Sequence, residues 1–387
     1  MTAPPFALLA GRVFDGEAFL SDRAVVVRDG CIADLTLAPP AGLRVHRLPE
    51  GAILAPGFVD VQVNGGGGVL LNDDPSPEGI ARIAAAHRRL GGTTALLPTL
   101  ISDTRPAIGT AIDGVAAAIA AGVPGILGIH LEGPFLSSQR PGIHDPARLI
   151  PFEAGDVALL TGLGARGLTL VTLAPETVPL GTVAALRARG ARVCAGHTAD
   201  DGTALRRALD EGLDGVTHLF NAMSQLGPRE AGAVGVALAD PRLFAGIIAD
   251  GYHVGDAQLG IARRLKGPER LMLVTDAMSP VGDPEARRTF TLFGRTIHRD
   301  GDRLAGADGT LAGAFLTMAG AVRHMAARGG ASLEEALAMA SLTPARFLGL
   351  DGRLGRIAPG YAADLVALDA DFGVLGTCLG GDLAWAR

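Results

Sequence analysis

The sequence predicts an α/β chain. It should form a (β/α)8 TIM-like barrel over residues 56–355, beside a small β-sandwich domain built jointly by the two chain ends, 1–55 and 356–387. Three observations predict it. From residue 56 onward, short apolar runs alternate with Ala-rich, helix-like stretches, the pattern of repeated βα units. Eight such runs precede Asp276, the number that closes a parallel barrel. Both ends carry strand patterns instead, and neither has enough pattern to stand as an independent domain.

At the N-terminal end, Ala24–Val27 and Cys31–Leu35 flank Asp29-Gly30, a dipeptide that favours a tight hairpin turn. At the other end, Ala363–Leu368 reads as a strand after the turn-forming Pro359-Gly360. The barrel strands are expected at Gly57–Val63, Thr93–Pro98, Ile126–Leu131, Leu168–Leu173, Arg192–Ala195, Gly215–His218, Phe244–Ala249 and Leu271–Thr275. Helical patterns such as Glu78–Leu90, Val183–Arg189 and Ala204–Glu211 lie between them. After the eighth strand, Phe290–Arg303 reads as an inserted hairpin. Two helices follow, one opened by the capping box Ser332 to Glu335, the next by Thr343 as N-cap before Pro344.

Composition narrows the class of function. Hydrophobic residues make up 48% of the 387, ample for a large core, and the 55 glycines suit the many strand–helix turns of a barrel. A net charge of −6 with scattered basic residues argues against a nucleic-acid partner. No apolar run approaches the length of a membrane span, and no secretory signal pattern opens the chain. Cys31, Cys194 and Cys378 stand far apart without CxxC spacing, so they read as reduced, buried thiols of a cytoplasmic protein.

Nearly every expected strand ends in a group able to bind metal or move a proton: Gln62 and Asn64, Glu132, His197, His218, His253 and Asp276. Each has an ordinary reading alone. Glu132 or Asp276 could cap a helix, and either histidine could be a hydrogen-bonded loop residue. Barrel active sites, however, form where strand C-termini converge. One Glu, two His and one Asp on strands three, five, six and eight make a candidate metal site, with imidazole and carboxylate donors suited to zinc or ferrous iron.

At these residues the sequence resembles the N-acetylglucosamine-6-phosphate deacetylases of the amidohydrolase superfamily. The likeness is carried by Ala-Pro-Gly-Phe-Val-Asp-Val-Gln-Val-Asn-Gly at 55–65, His-Leu-Glu-Gly-Pro-Phe at 130–135 and Ala-Gly-His-Thr at 195–198. Thr-His-Leu-Phe-Asn-Ala-Met at 217–223, Ala-Asp-Gly-Tyr-His-Val at 249–254 and Leu-Val-Thr-Asp-Ala at 273–277 extend it. The resemblance implies hydrolysis of the acetamide of N-acetyl-D-glucosamine 6-phosphate in a homodimer. Glu132, His197 and His218 would hold one divalent ion, zinc or else iron or another metal. Asp276 would carry the proton and His144 would polarise the carbonyl. Asn221, Ala222, Arg229 and His253 would bind the substrate, Arg229 in its own or a neighbouring subunit's site.

Gln62 and Asn64 stand where many relatives in the superfamily carry His-x-His, so one strong metal site is expected, with at most a weak second one there. Three other readings stay open: an N-acetylgalactosamine-6-phosphate deacetylase, a cyclic amidase of dihydroorotase type, and a barrel without activity. The second would need a lysine on a barrel strand, and the chain's one lysine, Lys266, ends none. The third would be expected to have lost ligands that are all present. His46, His87, His298 and His324 match no motif and read as surface residues; His130 reads as a hydrogen-bonded barrel residue.

Overall fold

A computed structural model describes residues 4–385; residues 1–3 and 386–387 of the expected terminal domain lie outside the described residues. Eight parallel strands form the barrel wall in chain order: Phe58–Val63, Thr93–Ile101, Gly128–Glu132, Leu168–Leu173, Arg192–Ala195, Gly215–Val216, Phe244–Ile247 and Leu271–Leu273. Their mostly buried, aliphatic residues suit strands covered on both faces. Helices such as Pro77–Gly91, Arg105–Ala120 and Asp256–Lys266 wrap the outside. No helix is long and apolar enough to cross a membrane among the described residues.

The ladder between the first and eighth strands is sparse, and side chains close this seam. Backbone bonds run from Asp276 N to the Gln62 carbonyl at 2.9 Å and from Gly65 N to the Ala277 carbonyl at 2.9 Å. The buried Asp60 carboxylate supplies the rest: it accepts the Thr275 hydroxyl at 2.6 Å and the Thr275 N–H at 3.3 Å. Burial pushes the Asp60 carboxyl up to about 7. Asp60 and Gln62 alternate on the first strand and Asn64 stands just past its end in the same alternation, so the seam that fixes Asp60 also places the two amides beside Asp276.

Both chain ends meet in a second sheet. Leu365–Leu368 pairs antiparallel with Ile53–Pro56, whose other neighbour is Phe6–Phe14, and the Phe19–Arg28 and Cys31–Thr36 hairpin continues it. Phe6, Leu8, Val25, Ile32, Leu54 and Leu365 build its core. The inserted segment is a three-stranded sheet, Thr289–Leu292, Arg295–Asp300 and Arg303–Gly306, packed over Met278, Ile101 and Ile143 at the barrel mouth.

Four expectations need correction. The second strand runs through Pro98 to Ile101, because the register shift opposite Asp60 and Val63 spares the ladder the N–H that proline lacks. The last helix begins at Leu342 with Ser341 as N-cap, and Thr343 lies inside its first turn, its hydroxyl donating to the Pro268 carbonyl. His87 is buried, since it falls on the helix face of Ile80, Ile83 and Ala84, and its Nε2 meets the Gly65 carbonyl at 2.9 Å. Cys31 is exposed, because alternation after the turn turns Ile32 inward instead; Cys194 and Cys378 are buried, and all three thiols are free.

Candidate metal centre and active site

At the C-terminal mouth of the barrel a cavity of about 380 Å³ is lined by Asn64, Glu132, His144, His197, His218 and Asp276, together with Asn221, Ala222 and His253. Residues as far apart as Asn64 and Asp276, 212 positions, meet here because parallel strands bring every C-terminal end to one rim. His197, His218 and Asp276 sit just past their strands with φ of 48°, 34° and 50°. Non-glycine residues in this left-handed region cost about 1–3 kcal/mol each and persist where surrounding bonds hold them. Those bonds are visible: Thr198 N to the Ala222 carbonyl at 3.1 Å, Leu219 N to the Gly246 carbonyl at 2.7 Å, and Ala314 N to the Asp276 carbonyl at 2.9 Å. The turn aims each side chain into the mouth.

Three donor atoms converge. Glu132 Oε1 lies 3.2 Å from His197 Nε2 and 2.8 Å from His218 Nε2, and the two nitrogens are 3.1 Å apart. Ligands held about 2.0–2.1 Å from a tetrahedral cation lie roughly 3.3 Å from one another, so these edges match a cation's coordination triangle. His144 also comes close: donor atoms of Glu132, His144 and His197 all lie within 4.8 Å of one another.

Hydrogen bonds sort the two roles. His197 Nδ1 meets the Arg140 carbonyl at 2.9 Å, an acceptor only, so Nδ1 carries the proton and Nε2 keeps its lone pair for a metal. His144 is the reverse. Its Nδ1 accepts the Ser102 N–H at 3.3 Å and lies 2.8 Å from the Ser102 hydroxyl, which leaves the proton on Nε2. Burial, with His197 beside it, pushes the His144 pKa down to about 3, so the ring is neutral. A neutral imidazole protonated on Nε2 is set up to donate a hydrogen bond from that atom.

Burial opposes ionisation of Glu132, but the His197 and His218 imidazoles together outweigh it and hold the carboxyl well below the usual range. Glu132 in turn overcomes the effect of burial on His218 and raises its pKa. Asp276 goes the other way: burial, then the Glu132 charge, push it up to about 6. The two carboxyl groups are thus driven apart in pKa, one held ionised and the other able to take up a proton near neutral pH.

The amides tie them together. Asn64 Nδ2 donates to Asp276 Oδ1 at 2.6 Å, and Gln62 Nε2 reaches Asp276 Oδ1 and Glu132 Oε2, both at 3.2 Å. The Gln62 and Asn64 oxygens have no hydrogen-bond partner among the described residues. Turning either amide over would set oxygen against carboxylate oxygen, so these side chains present N–H donors to the two carboxylates.

The remaining candidates divide. His253 lines the cavity, its Nδ1 held by Asp250 Oδ2 at 2.6 Å, and its Nε2 has no hydrogen-bond partner among the described residues. Asn221 and Ala222 line it too, but the Asn221 N–H donates to the His218 carbonyl at 3.0 Å. Arg229 is exposed on the 225–231 loop and does not line this chain's cavity. Below the mouth, His130 Nε2 meets the Thr172 hydroxyl at 2.8 Å, and Thr172 meets Thr217 at 2.6 Å, a buried polar layer under the cluster.

Three participants escaped the sequence reading. Ser102 was hidden because the second strand was expected to stop at Pro98; with its true end at Ile101, Ser102 occupies a strand-end position like the others. Asp60 was legible by its two-residue spacing from Gln62. The Arg140 carbonyl gave no signal, since a backbone acceptor has no residue type.

Comparisons with known proteins agree with this geometry. The amidohydrolase family matches residues 53–383. An N-acetylgalactosamine-6-phosphate deacetylase of Shewanella sp. (strain ANA-3) is 43% identical over 94% of this chain and 91% of its own. The N-acetylglucosamine-6-phosphate deacetylase of Bos taurus is 39% identical, over 87% and 84% respectively. The crystal structure of the N-acetylglucosamine-6-phosphate deacetylase from Pasteurella multocida superposes with a TM-score of 0.94 at 30% identity, covering 99% of this chain and 100% of that one. With the barrel, the ligand triangle and the match all in hand, this chain belongs to the amidohydrolase family.

Proposed function

We propose that this chain hydrolyses the acetamide of an N-acetylhexosamine 6-phosphate, N-acetyl-D-glucosamine 6-phosphate in the first instance, to acetate and the free amino sugar phosphate. One observation carries the reading: the proton carrier Asp276 and the ligand Glu132 share the single Gln62 amide at 3.2 Å each, inside one cavity.

Glu132, His197 and His218 would hold one divalent ion, zinc in this reading, which supplies Lewis acidity for water and carbonyl alike. Asp276 takes the proton of the attacking water and later delivers it to the departing nitrogen, which cannot leave as an anion. His144 donates its Nε2–H to the carbonyl oxygen as negative charge develops there. Gln62 and Asn64 orient Asp276 and stand against a tightly held second metal. Asn221, Ala222, His253 and Arg229 bind the sugar phosphate, Arg229 in this site or that of a partner subunit. A homodimer and a cytoplasmic location complete the proposal, with domain limits at 1–55 plus 356–387 and 56–355.

The galactosamine epimer is the second reading, favoured by the 43% identity to the N-acetylgalactosamine-6-phosphate deacetylase of Shewanella. Acetate release from both epimeric phosphates and both free sugars, before and after chelation and zinc return, tests the proposal. Metal-dependent release from either phosphate supports a deacetylase and the ratio assigns the epimer; no release from any of the four overturns it.

A further inference from the structure

The substrate class proposed above carries a phosphate of charge about −1.5 to −2 near neutral pH, and a cavity that already holds Glu132 and Asp276 repels it unless a cation answers. Among the described residues that line the cavity, Arg140 is the one lysine or arginine. It is exposed and enters no ion pair among the described residues. The arginines before and after it in the sequence are committed elsewhere, Arg148 to Asp103 and Asp145 and Arg105 to Asp156.

The backbone at Arg140 is fixed although its side chain is free. Arg140 N donates to the Ser137 carbonyl at 2.9 Å, Ser137 N donates to the His197 carbonyl at 2.9 Å, and the Arg140 carbonyl receives His197 Nδ1–H at 2.9 Å. Gly142, at φ +57°, lies so close that a Cβ there would meet His197 Cε1 at 3.1 Å. A guanidinium on a pinned backbone, with no carboxylate to satisfy it, loses little backbone freedom on meeting an anion. Its planar fork matches phosphate oxygens pairwise.

We propose that Arg140 is the cation with which this chain itself grips the substrate's phosphate. The inference rests on the function proposed above for the identity of the anion. It also makes one residue serve two ends: the Arg140 carbonyl orients His197, and the Arg140 side chain meets the phosphate. Removing the side chain leaves the carbonyl, so the two services separate experimentally.

The test is acetate release by the zinc-loaded wild type, Arg140→Ala, Arg140→Lys and Arg229→Ala, on each sugar with and without its phosphate. A lost charge-assisted contact corresponds to about 10–100-fold. Arg140→Ala should lose that much more kcat/KM on the phosphorylated sugar than on the free one, mainly through KM, and Arg140→Lys should recover part of it. Equal losses on both sugars would mean a structural role for the 137–144 segment and overturn the proposal. So would a loss under threefold on the phosphorylated sugar, which would put the phosphate on other groups such as Arg229 of a second copy. Binding of inorganic phosphate, measured by calorimetry in wild type and Arg140→Ala, reads the contact without turnover. A wild type that binds phosphate through Arg140 yet releases no acetate would sink the proposed function and leave this inference standing; equal phosphate binding by both proteins would sink this inference alone.

Discussion

Replacing Asp276 by Asn separates the chemistry of the site from its architecture. The amide has nearly the carboxylate's shape, and its oxygen can still accept Asn64 Nδ2 and Gln62 Nε2, which now lie 2.6 and 3.2 Å from Asp276 Oδ1. It cannot take a proton from water. General acid–base catalysis contributes about 10²–10⁴-fold, equal to about 3–5 kcal/mol of barrier, so kcat should fall by that much. Bound metal, counted by elemental analysis, should stay near one per chain because Glu132, His197 and His218 are untouched. Stability should move the opposite way. In chelated protein the Asp276 pKa is raised from the ordinary 3.8 to about 6, chiefly by burial. A carboxyl raised on folding destabilises the fold once it ionises: no cost below pH about 4, a cost growing through 6, and a plateau above. Roughly two pKa units correspond to about 3 kcal/mol, so chelated Asp276→Asn should melt higher than chelated wild type at pH 8. The gap should close by pH 4. The same sign puts the acid limb of kcat/KM at or below pH 6, since the base must be ionised and a nearby cation lowers its pKa further. A variant that keeps a tenth or more of wild-type kcat would refute the role of Asp276; one that loses its metal would refute the separation of base from ligands.

Further outcomes follow from the same geometry. Chelation should abolish acetate release and lower Tm by several degrees, because a cation that binds the assembled Glu132, His197 and His218 but not the unfolded chain stabilises the fold; zinc should restore both, and activity that survives exhaustive chelation would end the metal reading. Ser102→Ala removes the hydroxyl beside His144 Nδ1 at 2.8 Å and leaves the weaker N–H contact at 3.3 Å, so kcat should drop about tenfold with little change in KM or metal content. An unchanged kcat would show that the Ser102 N–H alone holds His144 in place and that the hydroxyl adds nothing. Thr275→Val strips Asp60 of its 2.6 Å hydroxyl partner across the barrel seam and should cost about 1–3 kcal/mol in urea unfolding. A neutral result there would mean that the backbone bonds alone close the barrel.

Much of the architecture was legible because its signals are local. Alternation and apolar runs marked all eight barrel strands, and the Asp29-Gly30 turn and the Ser332 capping box appear where their residue chemistry requires. His87 shows a signal that was present and overlooked: its helical period with Ile80, Ile83 and Ala84 put it inside, while its residue type argued for the surface. Pro98 shows the converse, a sound local rule overruled by a bulge on the neighbouring strand. Where such rules failed, the deciding contact lay with another segment.

By itself the sequence determined which groups stand at the strand ends, because strand period and apolar patterning depend on neighbours a few residues away. Only the tertiary structure decided what those groups do to one another. Whether an imidazole ligates or donates rests on which of its nitrogens meets an acceptor: the Arg140 carbonyl for His197, the Ser102 N–H for His144. Glu132 and Asp276 likewise part in pKa through burial and through separations across the barrel mouth. Those distances span strands far apart in the chain, and electrostatic energy follows distance in space.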